Sequence, residues 1–156
     1  MNLHDAEKLA IELIRKHITA GPIWTFRYND CKASGGRCLY GSKIIELSRD
    51  YTRLREEFWV RDTILHEIAH ALTPNEHHGP AWVKKALEIG CNGKRCFTDM
   101  ALPGPYVGTC PAGHKHYRFK KQGSKLRSSC QICQPKRFDE RYLITYKKNE
   151  NYGKDT

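Results

Sequence analysis

Between Leu3 and Ile18 the apolar residues Leu3, Ala6, Leu9, Ala10, Leu13, Ile14 and Ile18 recur at helical spacing, and Gly21-Pro22 closes the run. The period then changes. In Ile23-Trp24-Thr25-Phe26-Arg27-Tyr28 the rings alternate, so Trp24, Phe26 and Tyr28 share one face of a strand. Asn29-Asp30 and Gly35-Gly36 read as turns, and Arg37–Tyr40 and Lys43–Leu47 as two further short strands around Gly41-Ser42. From Glu56 to Leu72 the helical period returns, with Phe58, Ile64, Leu65, Ile68, Ala69 and Leu72 on the side predicted to be buried. Pro74 helps stop this helix. Pro80 suits the first turn of a third helix, Ala81 to Ile89, closed by Gly90.

Pro103-Gly104-Pro105 has the composition of a linker. Beyond it the pattern predicts short β-like pieces at Tyr106–Thr109, His116–Lys120, Lys125–Ser129 and Arg141–Lys147. The expected organisation is a compact α+β domain over residues 1–103, a small β-rich module over 104–148, and a frayed polar tail over 149–156.

Composition narrows the class. The chain has 156 residues, 39% hydrophobic and 28% charged, which fits neither a disordered nor a membrane protein. No apolar run approaches the ~20 residues of a membrane span. The first segment carries charges throughout its apolar pattern, so no signal peptide is expected there. The net charge of +10 is unevenly spread: residues 1–109 hold 15 basic and 13 acidic side chains, residues 110–156 hold 12 and 4. The last third therefore carries +8, which points to a polyanionic partner for that module. Seven cysteines make an odd count for a disulfide framework. A reducing, cytoplasmic setting and metal binding by paired cysteines are the better expectation. Six of the eight histidines fall in two short windows, 66–78 and 114–116.

The first window reads His66-Glu67-Ile68-Ala69-His70 inside the second helix. Residues four apart lie within about 40° of each other around a helix, so both imidazoles can reach one ion from one face. Glu67 lies beside that face, where its carboxylate can take a proton from a water activated by zinc. The motif supplies two ligands and a general base for amide hydrolysis. A third protein ligand is needed, and His77 and His78 both stand just before Gly79-Pro80-Ala81-Trp82. The longer HExxHxxGxxH pattern is absent, because Thr73 and Glu76 occupy its glycine and last histidine. Tyr28, Tyr40 and Tyr51 are candidate helpers for the developing oxyanion.

Cys110-Pro111-Ala112-Gly113-His114 and Cys130-Gln131-Ile132-Cys133 form two ligand pairs suited to a structural zinc. His114 is favoured over His116 because Gly113 lets the chain turn tightly around a metal. Cys31, Cys38, Cys91 and Cys96 have no convincing knuckle spacing and read as small buried thiols. Lys115, Tyr117, Arg118, Phe119, Lys120, Lys121, Lys125 and Arg127, then Lys136 and Arg137, interleave cations with rings. Such a surface neutralises phosphates and stacks on unpaired bases. Without a base-reading helix, binding to DNA, single-stranded or structured, is expected to be sequence-independent.

The stretch Asp62-Thr63-Ile64-Leu65-His66-Glu67-Ile68-Ala69-His70-Ala71-Leu72, followed by His78-Gly79-Pro80-Ala81-Trp82, resembles the SprT-like metallopeptidases, which include the Spartan DNA–protein crosslink proteases. Trp24-Thr25-Phe26 and Lys43-Ile44-Ile45-Glu46-Leu47-Ser48 are similar too. The resemblance runs from about residue 3 to 100 and continues into a terminal zinc ribbon, as in short bacterial and phage members. It implies His78 as the third ligand and a zincin-like fold: a helix, a three-stranded antiparallel sheet, the HExxH helix and a further helix. It also implies a zinc endopeptidase, with one catalytic and one structural zinc, associated with DNA and acting on DNA-bound or crosslinked proteins. The competing reading is a non-proteolytic DNA- or RNA-binding zinc-ribbon protein, transcription-associated, whose HExxH zinc is structural.

Overall fold

A computed structural model describes residues 1–94 and 102–152. The chain divides into two compact units, Met1–Phe97 and Thr98–Thr156.

The first unit begins with α1 (Leu3–His17). Asn2 caps it by accepting the Asp5 N–H at 2.9 Å, and Arg15, Lys16 and His17 sit in the last turn, where cations complement the helix dipole. Ala6, Ala10, Leu13 and Ile14 form its buried stripe. Three strands follow, β1 (Thr25–Asn29), β2 (Gly36–Leu39) and β3 (Ile44–Ser48), then α2 (Arg49–Arg53), α3 (Glu57–Leu72) and α4 (Pro80–Glu88). The short α2 does not stand out in the sequence pattern; Ser48 caps it by accepting the Tyr51 N–H. The core gathers Ile45 and Leu47 of β3, Ile64, Leu65 and Ile68 of α3, and Trp82 of α4 around α1.

The sheet corrects one expectation. Its order is β1-β3-β2, with β2 antiparallel to β3 but β1 parallel to β3, so it is mixed rather than antiparallel. The cause is connectivity. A tight turn containing Lys43 at φ 57 folds β2 directly onto β3. The chain reverses twice between β1 and β3, once before β2 and once after it, so β1 joins the opposite edge of β3 running the same way. β2 is thereby left at an edge of the sheet.

The α3 helix departs from simple amphipathicity. Val60, the run from Asp62 to Ala69, and Ala71 are all buried, so the helix passes through the unit's interior and carries polar groups with it. Phe58, expected on the buried side, is instead 63% exposed in the first turn.

The second unit holds β4 (Tyr106–Thr109), β5 (Lys115–Arg118) and β6 (Thr145–Lys148), all antiparallel in the order β5-β4-β6. The expected strand at Lys125–Ser129 is only a single bridge, Ser129 to Leu143, and Glu140–Tyr142 is a short 3-10 turn rather than the start of a strand. Its core is small: Cys110, Cys130 and Ile144, with Cys133, Tyr142 and Tyr146 packed against them. The start of the expected tail is tied down. Asn149 donates from its side chain to the Gly104 carbonyl and from its backbone to that of Pro105, each at 2.9 Å. Residues 153–156 of that tail lie outside the described residues.

Candidate active site and ribbon metal cluster

Two histidines of the first site come from α3, where the four-residue spacing stacks His66 over His70. His78 arrives from the loop before α4. That loop bends sharply, with Asn75 at φ 68 and His77 at φ 46, and is closed by the Gly79 N–H donating to the Glu76 carbonyl at 2.8 Å. The outcome is convergence: His78 Nε2 lies 3.1 Å from His66 Nε2 and 3.2 Å from His70 Nε2. His77 lines the neighbouring cavity but is not in the cluster.

The spacing fits a metal. A tetrahedral zinc at ~2.0–2.1 Å from each nitrogen holds its ligands roughly 3.4 Å apart. The observed separations are close to that edge, and all three candidate donor atoms lie within 4.8 Å of one another. The chemistry fits as well. Burial, followed by the charges of its neighbours, pushes His66 down to about 3 and His70 down to about 4, so both rings stay neutral and able to donate a lone pair. Trp82, wholly buried, forms the floor of the site, with its ring 4.6 Å from His66, 5.2 Å from His70 and 4.6 Å from His78, centroid to centroid.

Glu67 is buried beside this cluster, against the edge strand β2. Burial pushes its carboxyl up to about 8, opposed by the Cys38 backbone N–H and by Arg37. A bound dication acts in the opposite direction. The fit between β2 and Glu67 depends on a missing side chain. A Cβ at Gly36 would stand 2.9 Å from Glu67 Cγ and 3.0 Å from its Oε1.

Above these residues lies a cavity of about 650 Å³, reached by Gly36, Arg37, Tyr40, Tyr51 and Arg55 as well as the histidines and Glu67. Of the three candidate tyrosines, Tyr40 and Tyr51 line it. Tyr28 does not; its hydroxyl donates to the Leu3 carbonyl at 2.6 Å. Gly36, expected in a turn, instead opens β2; its place at the site, like those of Arg37 and Arg55, arises from contacts across the fold rather than from local spacing.

In the second unit Cys110, His114, Cys130 and Cys133 converge. His114 Nδ1 lies 3.6 Å from the sulfurs of Cys110 and Cys130 and 3.3 Å from that of Cys133, and the Cys110 and Cys133 sulfurs are 3.9 Å apart. Zinc–sulfur bonds of ~2.3 Å in a tetrahedron imply sulfur–sulfur edges of roughly 3.8 Å and slightly shorter sulfur–nitrogen edges. The knuckle is made by Gly113 at φ 86, whose N–H donates to the Cys110 carbonyl at 2.9 Å. His116 stands outside the four, with Nε2 3.3 Å from the Cys130 sulfur. The two clusters are consistent with one catalytic and one structural zinc site. Among the described residues no third cluster of three or more metal-ligating groups is found. Cys91 is a buried thiol, Cys31 and Cys38 are only half-buried, and Cys96 lies outside the described residues. Hydrogen bonding from Ser34 leads the effects that lower the Cys31 thiol to about 7, and Arg37 contacts its sulfur at 3.3 Å.

The basic residues of this unit divide by engagement. Lys115, Lys120, Lys121, Lys125, Lys136 and Arg137 are exposed, and Tyr117 is half-buried. Arg118 donates to Ser128 Oγ at 3.0 Å and lies over the Tyr146 ring, while Arg127 pairs with Glu140 and lies over the exposed ring of Phe138. No helix among the described residues is long and apolar enough to cross a membrane.

A cluster of three converging imidazoles with a buried carboxyl at its side is the equipment of a zinc metallopeptidase, and the helix that carries two of them and the carboxyl has the HExxH spacing. Compared with known families, residues 7–101 match the SprT-like family. The chain belongs to that family, whose membership together with the motif supports zinc metallopeptidase activity. No curated protein and no solved structure matches the chain.

Proposed function

We propose that this protein is a zinc endopeptidase that cleaves proteins bound or crosslinked to DNA. The observation that carries the peptidase reading is Glu67, buried between the histidine cluster and β2 at the wall of an open cavity. A purely structural zinc has no use for a carboxylate in that position. His66, His70 and His78 would hold the zinc, which would supply a Lewis acid and a water acidified toward neutrality. Glu67 accepts the proton from the attacking water and returns it to the leaving nitrogen. Trp82 packs against all three imidazoles from the side away from the cavity and holds them in place. β2, at the edge of its sheet and beside the cavity, suits an extended peptide segment laid alongside it as a further strand.

The nucleic-acid part rests on charge. The +8 of residues 110–156 and the exposed lysines of the second unit favour a polyanion, and Tyr117 and Phe138 offer rings for unpaired bases. Cys110, His114, Cys130 and Cys133 hold the structural zinc that this small unit needs in order to fold. The test is cleavage of casein, or of the chain itself, with and without single-stranded DNA. Stimulation by DNA that disappears in Glu67→Ala supports the proposal. Cleavage indifferent to DNA removes the nucleic-acid part, and undiminished cleavage by the variant removes the whole.

A further inference from the structure

In the second unit His116 is brought to the metal cluster by strand register. It lies opposite Gly108 in the β4–β5 pair, and Gly108 lies opposite Tyr146 in the β4–β6 pair. Directly opposed residues point to the same side of a sheet, so His116 and Tyr146 share a face, and Lys115 and Tyr117 turn to the other. The shared face is the inner one, because Ile144 forms the core with Cys110 and Cys130 and Tyr146 packs against it. That core closes over Gly108, where a Cβ would stand 2.5 Å from Ile144 Cγ2 and 2.8 Å from Tyr146 Cδ1. His116 Nε2 thereby lies 3.3 Å from the Cys130 sulfur.

This contact is not coordination. The donor atoms of Cys110, His114, Cys130 and Cys133 all lie within 4.8 Å of one another and suffice for a tetrahedral ion, and His116 is not among them. It approaches the set from outside, at the sulfur of Cys130. That sulfur needs a donor. Three thiolates and one neutral imidazole around a dication leave a surplus negative charge, and Cys130 is wholly buried, so solvent cannot offset it. A metal-bound thiolate carries no proton, so the imidazole is the donor, through its Nε2–H.

We propose that His116 is a positioning residue for the metal of the second unit: its Nε2–H donates to the Cys130 thiolate, fixes the direction of that sulfur and offsets its charge, without itself binding the ion. This rests on the reading of the four-residue cluster as a structural zinc site. Groups that hold a ligand rather than the metal typically contribute about 10–100-fold in affinity, and a single N–H donor belongs at the lower end, about tenfold.

The experiment uses the full chain loaded with cobalt(II), and with zinc in chelator competition. Of the two clusters only that of the second unit has thiolates, so a sulfur-to-cobalt charge-transfer band reports on it and not on the histidine site. His116→Phe, which keeps a ring and removes the donor, should move that band to lower energy, because a sulfur relieved of its hydrogen bond gives up an electron more easily. The same variant should hold zinc at this site about tenfold more weakly. His116→Gln, whose side-chain amide can present an N–H where Nε2 stood, should restore most of both. Wild-type band and affinity in His116→Phe would overturn the proposal, as would equal losses in His116→Gln. Complete loss of one zinc in His116→Phe, with His114→Phe tolerated, would make His116 the ligand and overturn it too. Nitrogen NMR of the zinc-loaded wild-type chain decides even if the variants fail to fold: His116 should carry its proton on Nε2, and a ring protonated only at Nδ1 would overturn the proposal. A wild-type chain with no thiolate–cobalt band would remove the structural zinc site itself, and the proposal with it.

Discussion

The close approach of Gly36 to Glu67 makes a sharp prediction about catalysis. A methyl group at residue 36 would sit 2.9 Å from Glu67 Cγ, 3.0 Å from Oε1 and 3.0 Å from Thr63 Cγ2. Unstrained carbon contacts lie at ~3.5–4.0 Å, so Gly36→Ala requires a displacement of roughly 0.6–1 Å. Thr63 is anchored, with its hydroxyl donating to the Trp59 carbonyl at 2.9 Å, so the carboxylate is the group that yields. A general base about 1 Å out of place loses on the order of a hundredfold in rate, or about 2.7 kcal/mol of barrier. The overpacking itself costs about 1–3 kcal/mol of stability, which a folded unit can absorb. The assay is casein cleavage in parallel with zinc content and a thermal melt. A folded Gly36→Ala protein with wild-type zinc and about a hundredfold lower kcat/KM is expected. Full activity at full zinc would refute the claim that β2 positions Glu67, and loss of zinc would show that the clash reaches the histidines instead.

Further outcomes follow from the same geometry. His66 at about 3 and His70 at about 4 have values lowered by folding from an ordinary 6.5, so in metal-stripped protein the unfolded chain takes up protons first as pH falls below 6.5. Their contribution to stability is therefore whole above 6.5 and is lost on the way down to about 3; Glu67, raised from 4.5 to about 8, acts in the opposite sense between those values. Chelated Glu67→Gln should accordingly show a melting temperature that declines with falling pH, and a decline unchanged by His66→Asn would contradict the assignment. Cys130, wholly buried at the ribbon cluster, should be indispensable to its unit: Cys130→Ala should lose one zinc per chain and the β-sheet signals of β4–β6, while α3 and its activity on casein persist. Replacing Lys120, Lys121, Lys125 and Lys136 by Glu should weaken binding to single-stranded DNA across all sequences. The salt dependence, read by fluorescence anisotropy, should flatten by about 0.7 in log–log slope for each phosphate no longer neutralised. An unchanged slope would move the nucleic-acid surface elsewhere.

Local pattern carried the elements and the metal donors, and long-range packing decided the rest. The HExxH pair is visible because two ligands on one helix are set by helical period alone. The choice between His77 and His78 is not, since it depends on Asn75 and His77 adopting left-handed backbone that bends the loop before α4. The antiparallel expectation for the sheet failed because strand order, not strand composition, decides whether β1 runs with β3. Phe58 sits where a helical stripe predicts burial, yet the first turn of α3 protrudes beyond the core. Lys125–Ser129 has the residues of a strand, but it meets the returning chain only at its end, in the Ser129–Leu143 bridge closed by the Ile144 N–H donating to the Ser128 carbonyl. Gly36 reads in one dimension as part of a turn; it matters for the side chain it lacks beside Glu67, a contact only the packed fold reveals.

Glu67→Gln tests the central claim most directly, because it changes one atom type and leaves the imidazole cluster untouched. Metal analysis beside a casein assay should find two zinc ions per chain in both the wild-type protein and the variant, with cleavage present in the first and absent in the second. Cleavage by the variant at the wild-type rate would show that hydrolysis does not run through Glu67, and wild-type protein with both zinc ions bound but no cleavage of any protein, with or without DNA, would make the histidine zinc structural.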